Sequence, residues 1–63
     1  MKFKELLSVV DDETQIKALI ILYRTRFSAT YYKNYYITNC CELLELDVQK
    51  IQTTDEELIV YLK

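Results

Sequence analysis

Sixty-three residues carry eight Lys or Arg against ten Asp or Glu, a formal net charge of −2, with no His, Gly, Pro or Trp. A chain of this length makes one domain, residues 1–63, and buries only about 60% of the surface its unfolded form exposes, so a partner or a twin subunit is expected to help hold it. Adjacent Cys40 and Cys41 offer neither a disulfide framework nor a zinc ligand set, the absence of Gly removes the usual phosphate loops, and the apolar run at 18–23 is far short of the roughly 20 residues that span a membrane.

Charge is unevenly spread. Residues 14–41 hold Lys17, Arg24, Arg26 and Lys33 and no acid, a sum of +4, whereas residues 1–13 sum to −2 and residues 42–63 to −4. One positive patch on an otherwise negative surface is the expectation, and solvated polar faces are the plainer reading. With free thiols and no leader-like start, the chain is expected in the cytoplasm.

Along the chain, Phe3, Leu6, Leu7 and Val10 repeat at i, i+3, i+4 and i+7, which predicts a helix over about 2–10. The acidic stretch DDET then breaks it. Residues 15–30 read two ways. Ile16, Leu19, Ile20, Tyr23 and Phe27 stripe a helix that Asp12 and Gln15 would cap. Against that, apolar Ala18, Ile21 and Leu22 leave such a helix no polar face, and the alternation from Tyr23 to Thr30 has the period of a strand. A hairpin is preferred, although no Gly or Asn marks its turn.

The stretch YYKNYY (residues 31–36) opens a second helix near Tyr32. Its 100° step puts Tyr32, Tyr36, Ile37, Cys40, Leu43 and Leu44 inward and Tyr31 and Tyr35 outward. The tail has two β-rich runs, 47–53 and 57–62, around a polar cluster, which predicts a second hairpin; a helix capped by Thr54 and Glu57 is its rival. Apolar residues on both faces of 57–62 point to a central strand covered on two sides.

The fold class that results is α+β: helix, hairpin, helix, hairpin (αββαββ), a mostly antiparallel sheet with both helices on one side. The alternatives are a mainly α chain or a winged helix-turn-helix. The expected core is Leu6, Leu7, Ile20, Phe27, Tyr36, Leu43, Val48, Ile51, Leu58 and Val60. The KFKELLSVVDDETQI start, the central FSAT and the ELLELDVQKIQTTDEELIVYLK end resemble small phage and prophage accessory proteins of low-GC Gram-positive bacteria. The first turn, in LIILYRTR, departs from that group by lacking Gly. The resemblance implies an element-encoded accessory protein in the cytoplasm of a bacterial host cell and carries over no catalytic residue.

Catalysis is not expected. There is no His, the acids cluster in turns, and neither Cys has a recognisable activating neighbour. No cofactor and no metal are expected. Tyr and Arg concentrate at protein interfaces, so Arg24, Arg26, Tyr31 and Tyr35 are the candidate contacts for a bacterial host or phage protein that this chain would bind and block. A homodimer seam through the same tyrosines is the competing reading. Nucleic acid is the second class, reached by Arg24, Arg26 and Lys17 with Tyr31 or Tyr35 stacking on bases, or by a winged motif in ITNCCELLELDVQKI. A small charged, nucleotide-like ligand held at a dimer groove is the third.

Overall fold

A strand with one covered face needs apolar residues at every second position, and β1 supplies them at Ile16, Ala18 and Ile20. The computed structural model describes the backbone of residues 1–22 and 25–63 and the side chains of 1–20 and 26–63. The elements run α1 (Phe3–Leu7), β1 (Gln15–Leu22), β2 (Thr25–Tyr31), α2 (Lys33–Asn39), a 3-10 turn (Cys41–Leu43), β3 (Val48–Thr53) and β4 (Glu57–Leu62). This is the expected αββαββ order. The mainly α and winged alternatives fall away, because ITNCCELLELDVQKI divides among the end of α2, the 3-10 turn and β3.

The four strands form one sheet in the order β2-β1-β4-β3. Both hairpins are antiparallel, and the central pair β1 and β4 runs parallel, with Ile16 beside Leu58, Ala18 beside Val60 and Ile20 beside Leu62. Leu22 pairs with Thr25 in the first hairpin. Tyr23 and Arg24, between them, lie outside the described residues.

Ile16, Ala18, Ile20, Val60 and Leu62 point to one side of the sheet. There they are buried with Phe3, Leu6 and Leu7 of α1, Tyr36 of α2 and Leu43. Val48 and Leu58 pack against this cluster from partly buried positions. Two members of the expected core do not belong to it: Phe27 and Ile51 are each 42% exposed. Both point to the helix side, Phe27 opposite Ile20 and Ile51 opposite Val60, but they sit on the outer strands. Two short helices cover the central strands and leave the flanks to solvent.

The same economy corrects three further expectations. Helix α1 stops at Leu7, not residue 10. There the Ser8 hydroxyl donates to the Glu5 carbonyl at 2.6 Å and competes with the helical backbone. Tyr32 and Ile37 are exposed, since α2 turns inward only at Tyr36. Finally, β4 is central but covered on one side only. Ile59 and Tyr61 lie half-buried on the other face, where no helix packs.

Termini and loops are tied down. The first N–H groups of α1, orphaned in any helix, find carbonyls elsewhere: Phe3 donates to Leu46 at 2.9 Å and Lys4 to Leu44 at 3.1 Å. The Glu5 carboxylate accepts from the Lys2 N–H at 2.8 Å. Lys33, at the start of α2, donates to the Val10 carbonyl at 2.7 Å and pairs with Asp12 at 3.1 Å, its side chain only 19% exposed. It clasps α2 to the loop before β1. Lys33→Met is expected to lower stability by about 1–2 kcal/mol in urea titration. Most of that loss should survive high salt, because the ion pair with exposed Asp12 is screened and the carbonyl bond is not.

Candidate functional site

Tyr36 fixes the geometry of the tyrosine cluster. Its ring is fully buried and stands edge-on to Phe3 and to Tyr31, with centroids 5.2 and 5.7 Å away. Its hydroxyl lies 2.7 Å from the Ile16 carbonyl and 2.8 Å from that of Ala29, on neighbouring strands. Ala18 and Ala29 face each other across β1 and β2, and a phenol reaches the backbone there because neither side chain fills the space. With Tyr36 pointing inward, the preceding residue of α2, Tyr35, faces outward. It lands on Tyr31, the last residue of β2: the rings stack at 3.8 Å with an interplanar angle of 20°. Tyr31 is 39% and Tyr35 42% exposed. The Tyr31 hydroxyl, by hydrogen bonding first and charge second, holds the Tyr35 phenol above its ordinary pKa.

The two outward tyrosines of the expected site are thus brought together. The arginines are not shown to join them. Along β2, Tyr31, Ala29 and Phe27 point to the helix side, while Thr30, Ser28 and Arg26 point to the uncovered side. Arg26 therefore leaves the opposite face of the sheet from Tyr31, and roughly 16 Å of strand separates them. Arg24 lies outside the described residues. Lys17, opposite Thr30, shares the uncovered face with Arg26.

Further exposed apolar residues lie in the same segments. Phe27, Tyr31, Tyr32, Tyr35 and Ile37 are all exposed and all fall within β2, α2 and the residue between them. Sequence periodicity misassigned Phe27, Tyr32 and Ile37 to the core. The one signal against it was the shortness of the segments, which cannot cover every apolar residue they contain.

The strand edge beside this strip is open. The far edge, β3, is guarded: a register shift interrupts it between Val48 and Lys50, Met1 accepts from the Val48 N–H at 2.8 Å, and Lys2 bridges to Asp47. Bulges, short pairing and charge are the usual protection of sheet edges. On β2 the described side chains include one charge, Arg26, and the ladder to β1 runs without a shift.

Other chemistry is sparse. Cys40 is half-buried and its thiol is pushed up by burial, then by Glu42 and Cys41, away from the reactive thiolate. Two surface hollows, about 470 and 410 Å³, share the loop around Asp11 and Glu13 and are rimmed by carboxylates rather than by Arg and Tyr. Among the described residues no group of three or more His, Cys, Asp or Glu is placed to hold a metal ion, and no helix is long and apolar enough to cross a membrane. Compared with protein-family models, curated proteins and solved structures, the chain finds no match in any of the three.

Proposed function

We propose that this chain is a non-catalytic binding protein that docks another protein along β2 and the start of α2. One observation carries the reading: an unguarded strand edge ends in a stacked, exposed pair of tyrosines. An extended segment of the partner adds to β2, main-chain hydrogen bonds supply affinity, and the strip of Phe27, Tyr31 and Tyr35 supplies selectivity. Stacked rings lose little side-chain freedom on binding, and such aromatic anchors dominate interface energetics. The resemblance to phage accessory proteins makes a bacterial host protein the partner, held so that its own function is blocked.

The double variant Tyr31→Ala, Tyr35→Ala tests this. Tagged protein captures its partner from a bacterial lysate, mass spectrometry identifies it, and titration with the purified partner measures the loss. Removing both anchors is expected to weaken binding tenfold or more, at about 1.4 kcal/mol per decade, with the circular dichroism spectrum unchanged. Sedimentation of both proteins shows whether a second copy occupies the same edge. Unchanged capture and unchanged association state would reject the reading.

A further inference from the structure

The uncovered face of the sheet is a second surface, separate from the tyrosine strip, and its charges are sorted. Seven of the eight cations are among the described side chains. Three are engaged: Lys2 with Asp47, Lys4 with Glu45 and Lys33 with Asp12. The other four are Lys17, Arg26, Lys50 and Lys63, and strand alternation sends all of them to the uncovered face. Lys17 pairs across to Thr30 and Ile59, Arg26 to Ile21 and Lys50 to Tyr61. Lys63 continues the ladder beyond β4 by exchanging backbone bonds with Asp47. The same alternation gives this face two carboxylates, Glu57 at its far end and Asp47 beside Lys63, the latter paired with Lys2. Of the ten acids in the chain, the other eight lie on the helix side or in the loops.

At the centre of the face is an aromatic ring held in place. The Tyr61 hydroxyl donates to the Gln52 side-chain oxygen at 2.9 Å, and the Lys50 ammonium stands 5.7 Å from the ring centroid. Leu19 lies beside Tyr61 in the next strand, and a shallow pocket of about 170 Å³ opens between them, bordered by Gln49 and Lys63.

We infer that this face binds single-stranded nucleic acid. A second copy does not fit here, since two such faces would oppose positive to positive. Duplex DNA fits poorly, because among the described residues both helices pack on the other side of the sheet and neither stands on this face to enter a groove. A single strand needs what is present: cations along its path, a ring on which a base stacks, and side-chain amides and hydroxyls (Gln52, Ser28, Thr30) within reach of base edges. From strand spacing and rise, Lys17 stands roughly 12 Å from Lys50 and roughly 14 Å from Arg26, so the cations frame the ring on three sides.

Fluorescence anisotropy of the full chain with labelled oligothymidylate and oligouridylate, across a series of salt concentrations, tests this. Four phosphate contacts predict a slope of log K against log salt near about −3. Lys17→Ala with Lys50→Ala should halve it to about −1.4. Tyr61→Leu should keep the slope and weaken binding roughly tenfold. Tyr31→Ala with Tyr35→Ala should change neither, which separates this surface from the proposed protein-binding edge. Three results would overturn the inference: no binding at low salt, a slope indifferent to Lys17 and Lys50, or polyglutamate competing as well as the oligonucleotide with Tyr61 making no difference. The last would assign the face to an acidic protein.

Discussion

Tyr36→Ala is expected to unfold most of the molecule, and Tyr36→Phe to cost about 1–2 kcal/mol. A domain of this size holds about 3–9 kcal/mol of stability in all, and removing a buried aromatic ring costs about 3–5 kcal/mol. No other side chain of α2 is fully buried, so beyond this ring the helix is held by the Lys33 clasp and the Tyr35 stack alone. The phenylalanine variant keeps the ring against Phe3 and Tyr31 and loses only the hydroxyl bond to the strand carbonyls. Its cost reads the bond alone. Tyr36 also sets an alkaline limit. Burial pushes its phenol from 10.0 up to about 12, against the pull of the Ala18 and Tyr31 backbone groups. The folded state then holds a proton that the unfolded chain releases near pH 10. The stabilisation is complete below that value and is lost as pH rises from about 10 through 12. Tyr35 and Cys40 are raised too and act in the same direction. Urea midpoints of the parent and Tyr36→Phe, compared across that range, isolate the Tyr36 share: the two should converge as pH rises. A constant gap between them would show that the hydroxyl is not sealed from water.

The fold was legible because local signals agreed with one another. Crowding of apolar residues at Ala18, Ile21 and Leu22 weighed against an amphipathic helix, and the polar cluster before Glu57 separated two β-rich runs at their observed places, Val48–Thr53 and Glu57–Leu62. Lateral position in the sheet was not legible. Phe27 and Ile20 carry the same alternation signal and sit side by side, yet one is 42% and the other 7% exposed. The difference lies in which strand the helices cover, and that depends on contacts distant in sequence. The same limit governed the candidate site. Tyr31 and Tyr35 were read as neighbours four apart on one helix; in fact Tyr31 ends a strand and Tyr35 stacks on it across the strand-to-helix junction. Arg26 was grouped with them by nearness in sequence. An odd separation within one strand sends it to the other face. There it joins Lys17, as alternation implied, and Lys50 and Lys63 of the second hairpin, which no local pattern connects to it.

Phe3→Ala should be nearly as damaging as Tyr36→Ala, about 3–5 kcal/mol, and it should act on a different part of the molecule. Phe3 is fully buried, and its N–H donates to Leu46 in the segment leading to β3. The neighbouring residues continue this seam, through the Lys2 bridge to Asp47 and the bond from the Val48 N–H to Met1. Losing the ring therefore loosens the guard on the β3 edge as well as the core. Hydrogen exchange should quicken at Val48 and at the amide of position 3 before it quickens at Ala18. The milder pair Phe3→Leu and Tyr36→Leu then measures what the two rings share. Their edge-on contact at 78° predicts a coupling of about 0.5–1.5 kcal/mol beyond the area each buries. Strictly additive losses would mean that the rings contribute only volume, and that an aliphatic pair at these positions would seat α2, and with it Tyr35, equally well.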